Sequence, residues 1–481
     1  MILSVPTWSW PFPHWALDIL YFAIAAFVTV DVLIKKSDVR AALGWIAAAW
    51  LSPLVGGLLY YLFGINRVTR RALRLARRGI ALNDPLPRPT MNPADPNMAL
   101  LNESSRRITD MALTGGNAIT ILEGGDAAYP AMLAAIIGAR RSVALASYIF
   151  RNDEAGKQFA GALADAQRRG VAVRVLLDSV GTGYFWSRIF RRLTREGVPV
   201  ARFLHTWMPW RMPFLNMRNH RKLLVVDGET AFIGGMNIGD EYSGRRAQAA
   251  GEDYVEDMHF RIQGPAVAQV MDTFARDWAF TTEEVLDAPV WWEVGEAEGQ
   301  VAARGVRSGP DNDLYKIEMM LGAAIGLARK RVRIVSPYFL PDQRLQFTMA
   351  QAALRGVAVD IVLPEKSDHG PMDWALRAHL RFFQNLPFNI YLTPPPFDHS
   401  KLAVVDDEWC LIGSSNWDAR SLRLNFEFDL ECYDPALVRA LDRVIDGKIA
   451  RAERLDAARL AREPLWKQLR NAAVRLAMPY L

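Results

Sequence analysis

Two short motifs carry the same residue types at the same spacing. Each has a lysine two residues after a histidine and an aspartate seven residues after it: His220, Lys222 and Asp227 in the first motif, and His399, Lys401 and Asp406 in the second. One match to three fixed positions arises easily by chance, whereas two matches in one chain are specific. The motifs therefore predict one paired site rather than two unrelated strands.

The residue types in these motifs suit a phosphate group. Histidine and lysine two residues apart lie on the same face of an extended strand. In both copies an asparagine follows the histidine by 17 residues, at Asn237 and at Asn416, beside a Gly-Gly or Gly-Ser pair. Ammonium and carboxamide groups bind phosphate oxygens, and small residues allow close backbone approach. A neutral imidazole can attack phosphorus, and a protonated one can give its proton to a leaving alkoxide.

The two aspartates of the motifs have two interpretations. Asp227 and Asp406 each follow a run of four apolar residues that reads as a buried strand. A carboxylate there can take a direct part in catalysis, or it can cap the strand end or pair with a lysine. The sequence leaves both roles open.

The motifs belong to a larger internal repeat. Residues 169–173 and 355–359 are both Arg-Gly-Val-Ala-Val, and each follows an Ala-rich helical pattern and begins a β-branched run. Further strand candidates, 142–150 and 332–339, precede them and carry a tyrosine near their ends. Helix and strand patterns alternate in both halves, which predicts two α/β domains with helices on both faces of each sheet.

The N-terminal region has a different composition. Residues 15–34 and 41–63 are almost wholly apolar, and each is about as long as a membrane-crossing helix of roughly 20 residues. A soluble helical hairpin is the alternative. Basic residues follow the second segment: Arg67, Arg70, Arg71, Arg74, Arg77 and Arg78. They predict a cytoplasmic location for the region that follows, and they can also bind anionic lipid headgroups or merely set the topology.

Length and composition bound the remaining possibilities. The 481 residues are 51% hydrophobic with a net charge of +5, which excludes a disordered chain and gives no support for nucleic-acid binding. Two cysteines exclude a disulfide scaffold and a cysteine-based zinc cluster. A Pro-rich stretch separates the apolar segments from the repeat. The predicted regions are a hairpin with a basic juxtamembrane helix at 1–83, a linker at 84–110, and domains at 111–300 and 301–481.

At these motifs the sequence resembles the phospholipase D superfamily, and specifically the bacterial cardiolipin synthases. The similarity covers almost the whole chain and includes further short segments: 53–64, 218–222, 237–242, 264–267, 274–278, 337–342, 366–368, 418–421 and 425–427. It implies two tandem phospholipase D-like α/β sandwich domains packed about a pseudo-twofold axis, with one active site between them, after a two-helix transmembrane hairpin.

The resemblance also implies a reaction in two steps without a metal or cofactor. His220 would attack the phosphorus of phosphatidylglycerol and form a phosphohistidine. His399 would protonate the leaving glycerol and then deprotonate the hydroxyl of a second phosphatidylglycerol, which gives cardiolipin. Four side chains would hold the phosphate oxygens: Lys222, Lys401, Asn237 and Asn416.

In similar enzymes an acidic residue about thirty positions after each histidine orients its ring. Glu427 lies 28 residues after His399. For His220 the candidates are Asp257 and Glu256, and Asp257 is preferred. We therefore expect each carboxylate to serve the histidine of its own copy.

Several alternatives stay open at this stage. A hydrolase of the same superfamily, with water in place of the lipid alcohol, would use the same motifs. A non-enzymatic scaffold would be expected to lack one of the motif residues, and none is missing here. The expected partners are phospholipids in a bacterial inner membrane, with multi-pass anchoring and cytoplasmic catalytic domains. Neither the second lipid, phosphatidylglycerol or phosphatidylethanolamine, nor the oligomeric state follows from the sequence.

Overall fold

The computed structural model of the chain has two compact units, which are treated separately below. The structure describes residues 14–36, 39–64, 93, 95–207, 217–293, 295–310, 313–383, 386–456 and 462–476. The predicted juxtamembrane helix with its six arginines, and the predicted linker up to residue 92, lie outside these residues. The predicted domain boundaries stay proposals.

The N-terminal unit consists of helices. They are α1 His14–Lys35, α2 Val39–Leu51, α3 Pro53–Leu59 and a π-helical turn at Tyr60–Gly64. Within the described part of the chain, only the Trp15–Lys35 stretch of α1 is both long and apolar enough to cross a membrane. The prediction of one continuous helix over 41–63 was wrong. Ser52 separates α2 from α3, because Pro53 has no N–H to continue the hydrogen bonding and instead starts a new helix.

Polar side chains of the N-terminal unit are paired across its helices. The Tyr60 hydroxyl donates to Asp31 Oδ2 at 2.7 Å, and Trp50 Nε1 donates to Thr29 Oγ1 at 3.0 Å. Since unpaired polar groups are costly in an apolar environment, these bonds hold the second apolar segment against α1. The two segments pair as a helical hairpin.

The second unit is built on a long mixed sheet. Its strands are β1 Thr114–Glu123, β2 Ser142–Ser147, β3 Ala172–Asp178, β4 Val200–Phe203, β5 Arg218–Asn219, β6 Leu223–Val226, β7 Thr230–Gly234, β8 Val255–Glu256, β9 Met258–Gln263, β10 Val301–Ser308, β11 Arg331–Val335, β12 Phe339–Leu340, β13 Ala358–Pro364, β14 Phe388–Thr393, β15 Phe397–Asp398, β16 Leu402–Val405, β17 Trp409–Gly413, β18 Trp417–Asp418, β19 Asn425–Tyr433 and β20 Glu453–Arg454. Two further short pairs, β12 with β18 and β8 with β15, lie off the main sheet.

The α-helices of this unit cover the sheet. They are α4 Pro96–Thr109, α5 Gly124–Gly138, α6 Glu154–Arg168, α7 Arg188–Arg195, α8 Gly244–Ala250, α9 Val267–Thr282, α10 Lys316–Leu327, α11 Gln343–Leu354, α12 Gly370–Leu380, α13 Ala419–Arg423, α14 Pro435–Ala450 and α15 Leu465–Leu476. The strands β2, β6 and β16 are buried along their whole length, as expected for strands covered on both faces.

The order of the strands in the sheet shows the repeat directly. It runs β20-β14-β13-β11-β16-β17-β19-β10-β1-β9-β7-β6-β2-β3-β4. From the antiparallel pair β1–β10 outwards, equivalent strands of the two copies follow in the same order on both sides. This arrangement confirms two α/β domains related by an approximate twofold axis, with their sheets joined edge to edge.

The predicted helix–glycine–strand units are present in both copies. Helix α6 ends before Gly170, which has φ of 89°, and β3 follows. Helix α11 ends before Gly356, with φ of 92°, and β13 follows. Both glycines occupy the left-handed region that other residues rarely adopt, so the chain can turn sharply from helix to strand.

Candidate active site

The two motif histidines line one cavity of about 670 Å³ in the second unit. His220 and His399 are each 7% exposed, so their rings are almost closed off from solvent. Asn237 and Asn416 line the same cavity. The structure therefore brings together four predicted residues that are up to 196 positions apart in the sequence.

Short strands from one domain carry each histidine into the other domain. Strand β5 pairs with β19 in parallel, and the His220 backbone N–H donates to the Phe426 carbonyl at 2.9 Å. Strand β15 pairs with β8 in the same way, and the His399 N–H donates to the Glu256 carbonyl at 2.7 Å. Each histidine is thus fixed by backbone hydrogen bonds that cross between the domains.

This crossing corrects the predicted pairing of histidines and carboxylates. His220 Nδ1 lies 3.0 Å from Glu427 Oε2, and His399 Nδ1 lies 2.7 Å from Asp257 Oδ2. The sequence analysis assigned Glu427 to His399 and Asp257 to His220. That assignment was wrong, because β5 and β15 each run beside a strand of the opposite copy. Glu256, the rejected alternative, accepts from Lys448 at 2.6 Å instead.

The two carboxylates differ in electrostatic state. Burial alone would raise the pKa of Glu427, but the facing His220 ring and the Lys222 charge hold it below its ordinary value. Ser414 Oγ adds a hydrogen bond to Glu427 Oε2 at 2.6 Å. Burial raises the pKa of Asp257 to about 6, although Lys401 opposes the shift. Glu427 is therefore the more firmly ionised of the two partners.

Both histidine side chains have pKa values low enough to keep the imidazole neutral near pH 7. Burial lowers the pKa of His220 to about 4, despite the opposing charge of Glu427. Burial and the neighbouring Lys401 ammonium lower the pKa of His399 well below its ordinary value. A neutral ring is the form that can attack phosphorus, and an arriving phosphate monoanion would favour protonation of the second ring.

The two motif lysines lie beside the histidines. Lys222 Nζ donates to the His220 carbonyl at 2.7 Å, and Lys401 Nζ lies 2.9 Å from His399 Nδ1. Both lysines are buried. Burial lowers the pKa of Lys222 to about 7 and also lowers that of Lys401. The ammonium groups therefore add positive charge under the cavity at a cost in desolvation that a bound anion would offset.

This buried lysine predicts a falling limb in the pH profile. The Lys222 ammonium is charged below its pKa of about 7 and neutral above it, so kcat/KM should decline as pH rises through about 7. In Lys222→Arg the guanidinium stays protonated, so the decline in kcat/KM should shift to higher pH or disappear. The profile is measured between pH 5.5 and 9, with the exposed Lys157→Arg as a matched control. Identical basic limbs in Lys222→Arg and the parent enzyme would contradict this origin.

The two asparagines have different surroundings. Asn237 Oδ1 accepts from the Ile149 N–H at 3.1 Å, and its Nδ2 donates to the Tyr242 hydroxyl at 2.8 Å. Asn416 Oδ1 is buried and has no hydrogen-bond partner within the described chain. Asn237 is therefore held in place by hydrogen bonds at both ends of its amide, whereas the Asn416 amide oxygen has no such bond.

The structure decides between the two interpretations of the motif aspartates. Asp227 accepts from the backbone N–H groups of Arg140, Arg141 and Ser142 at 2.7 to 2.9 Å. Asp406 accepts in the same way from the N–H groups of residues 329–331. These contacts support the structural interpretation over the catalytic one, because both carboxylates are engaged at the start of β2 and β11 and neither lines the cavity.

Sequence analysis did not assign the aromatic walls of the cavity. Tyr148 lies with its ring centroid 4.9 Å from that of His220, and Tyr338 lies 6.2 Å from His399. These are the tyrosines near the ends of the two strand candidates, so the repeat already carried the signal. Asp398 directly precedes His399 in the sequence. Its carboxylate binds Lys448 Nζ at 2.7 Å instead, and that charge holds the Asp398 pKa low against the effect of burial.

Fold and site together define a phosphatidyltransferase of the phospholipase D superfamily. A family model described as "Cardiolipin synthase, PLD-like domain" matches residues 132–278 and 321–448, and one described as "Phospholipase_D-nuclease N-terminal" matches residues 23–64. The two matches to the first model cover more than half of the chain. The chain belongs to this family of cardiolipin synthase domains.

Individual relatives agree with this assignment. The chain is 29% identical to the major cardiolipin synthase of Bacillus subtilis over 476 residues, which is 96% of this chain and 98% of that protein. It is 30% identical to a cardiolipin synthase of Geobacillus kaustophilus, across 96% of this chain and 93% of the relative. Phosphatidylserine synthase of Haemophilus influenzae shares the fold, with a TM-score of 0.62 and 16% identity over 79% of this chain and 100% of that one.

Proposed function

We propose that this protein makes cardiolipin by transferring a phosphatidyl group from one phosphatidylglycerol to another. The observation that carries the proposal is the pair of histidines in one buried cavity, each beside a carboxylate of the other domain. Relatives named cardiolipin synthase over nearly the whole chain support the choice of substrate.

In the first step, the His220 Nε2 lone pair attacks the phosphorus of the first phosphatidylglycerol. An N–P bond forms and the P–O bond to the headgroup glycerol breaks. His399, which takes up a proton from solvent when the anionic phosphate binds, gives that proton to the departing oxygen. Glycerol leaves, and the phosphatidyl group stays on His220. Glu427, which is ionised and lies on the other ring nitrogen, stabilises the positive charge that develops on the His220 ring.

In the second step, His399 acts as the base. It takes the proton from a headgroup hydroxyl of the second phosphatidylglycerol, whose oxygen attacks the phosphorus while the N–P bond breaks. Cardiolipin forms, and both histidines return to their starting states. Throughout, Lys222, Lys401, Asn237 and Asn416 neutralise and hold the phosphate oxygens as negative charge builds up on them.

The proposed location is a bacterial inner membrane. The apolar helix α1 and the segment paired with it would anchor the chain in several passes, with the catalytic unit on the cytoplasmic side. Tests of topology would use cysteine labelling from either side of sealed membrane vesicles.

Product analysis tests the proposed reaction. Purified enzyme in mixed micelles with labelled phosphatidylglycerol and EDTA should yield cardiolipin and glycerol in equal amounts, and phosphatidylethanolamine is offered in a parallel sample. His220→Ala should give neither product. Phosphatidic acid as the main product would instead establish a phospholipase D-type hydrolase. No turnover with either lipid, in protein shown to be folded, would overturn the proposal.

A further inference from the structure

One end of the catalytic cavity carries two arginines that the mechanism above does not use. Arg218 in β5 and Arg420 in the first turn of α13 both line the cavity. Tyr148, whose ring faces His220, lines the same cavity and is within electrostatic range of both arginines. We call Arg218 and Arg420 the arginine pair. It is close to the reacting histidines but belongs to neither motif.

The arginine pair is not a by-product of the internal repeat. Arg218 stands two residues before His220, and the equivalent residue before His399 is Phe397. Arg420 stands 21 residues after His399, and the equivalent residue after His220 is Glu241. The two domains therefore place different residue types at equivalent positions of the cavity. One pair of positions carries two guanidinium groups, and the equivalent pair carries an aromatic ring and a carboxylate.

The two ends also differ in how their charges are balanced. Glu241 at its end is paired with Arg151, whose Nε donates to Glu241 Oε1 at 2.6 Å. Within the described residues, Arg218 makes no ion pair, and its guanidinium donates to the Met217 carbonyl at 3.2 Å. Burial and the charge of Arg218 both lower the pKa of Arg420, against the opposing charge of Asp418, which lines the same cavity. Like charges held beside one cavity repel, and an anion bound between them would relieve the repulsion.

The shape and charge of guanidinium groups indicate which anion fits. Arginine presents a planar fork of N–H donors that matches phosphate oxygens, and it stays charged at all physiological pH values. Lys222 and Lys401 lie beside the two reacting histidines, and in the proposed mechanism they already serve the reacting phosphate. Two further arginines in the same cavity therefore provide for a second phosphate.

We propose that the arginine pair binds the phosphate of the lipid that accepts the phosphatidyl group. This inference rests on the proposed function, because the accepting phosphatidylglycerol brings the second phosphate into the cavity and cardiolipin retains both. The three-carbon glycerol that joins the two phosphates rotates about each of its single bonds, and a cavity of about 670 Å³ has room for it. Water and simple alcohols carry no phosphate, so the pair would favour lipid over water as acceptor.

The test compares two acceptors in one enzyme preparation. Cardiolipin formation from phosphatidylglycerol requires an acceptor with a phosphate, whereas exchange of labelled free glycerol into phosphatidylglycerol uses an acceptor without one. In Arg218→Gln and Arg420→Gln the ratio of cardiolipin formation to glycerol exchange should fall about 10- to 100-fold, as expected from losing charge-assisted hydrogen bonds to one phosphate. Arg218→Lys, which keeps the charge, should restore part of the ratio. The exposed Arg439→Gln serves as the matched surface control.

Each outcome has a separate meaning. An unchanged ratio, whether both rates fall together or neither falls, would overturn the second phosphate site. A parent enzyme that performs neither reaction would overturn the proposed function, and the subsite with it. Where a glutamine variant does not fold, judged by its thermal unfolding midpoint, the lysine variants replace it. In these lysine variants the apparent KM for the acceptor lipid must rise while the rate of glycerol exchange stays at the parental value. If it does not rise, the proposal fails.

Discussion

Replacing His399 by asparagine should abolish turnover of phosphatidylglycerol and yet leave an enzyme that still forms a phosphohistidine from a more reactive lipid. Glycerol is a poor leaving group that needs a proton from His399. p-Nitrophenol leaves as a stable anion and needs none. With a p-nitrophenyl ester of phosphatidic acid, His399→Asn should release about one equivalent of nitrophenolate in a burst and then stop, because no base activates the acceptor.

His220→Asn should behave differently with the same lipid. Without the attacking imidazole neither substrate can form the N–P bond, and we expect a loss of more than about 10⁴-fold with no burst. Nitrophenolate release is followed by stopped-flow absorbance, and the quenched protein is tested for a phosphate bond that is labile in acid and stable in base. The buried His379→Asn, which lies outside the cavity, should retain parental kinetics. A burst in His220→Asn and none in His399→Asn would reverse the assigned roles.

The repeat made much of this site predictable from the sequence. Equal spacing of His, Lys and Asn in the two copies predicted that the copies share one site, and the cavity contains both histidines and both asparagines. The helix–glycine–strand units were predictable because a glycine with positive φ has few alternatives, as at Gly170 and Gly356. Local pattern and fold agree at these positions.

The second apolar segment shows a limit of hydropathy. Its residues are apolar enough for one crossing, but hydropathy does not register the missing N–H of Pro53 or the break at Ser52. The hydrogen bond from Tyr60 to Asp31 depends on how two helices pair, which composition does not specify. The length of an apolar run therefore predicted a helical hairpin but not its internal break.

The crosswise carboxylates show a different limit. Glu427 lies 28 residues after His399 and Asp257 lies 37 residues after His220, and these short separations favoured a partner within the copy. Which carboxylate faces which ring depends on β5 lying beside β19 and β15 beside β8. Those pairings cross the twofold axis, so no distance counted along the chain reveals them. A repeat predicts which residues are equivalent in the two copies. It does not predict whether a residue contacts a partner in its own copy or in the other copy.

The crosswise arrangement predicts which histidine each carboxylate supports. Pairing each carboxylate with the histidine of its own copy would predict the opposite. Glu427→Gln should act as a weakened His220→Asn: it removes the charge that steadies the attacking ring, so the nitrophenolate burst should slow by about 100-fold or more. Asp257→Asn should act as a weakened His399→Asn, with the burst retained and turnover of phosphatidylglycerol lost to a similar degree. Each variant thus resembles loss of the histidine in the other domain.

The burst assay separates this effect from general damage to the fold. A purely structural loss would lower the burst rate and the turnover together in both variants. We expect the two variants to differ instead. Glu427→Gln should lose the burst, as His220→Asn does, and Asp257→Asn should keep the burst and lose turnover, as His399→Asn does. Glu256→Gln, next to Asp257 but bonded to Lys448, should change neither rate and is the matched control. If Asp257→Asn lost the burst and Glu427→Gln kept it, pairing within each copy would be correct, and the crossing of β5 and β15 between the domains would have no part in orienting the histidines.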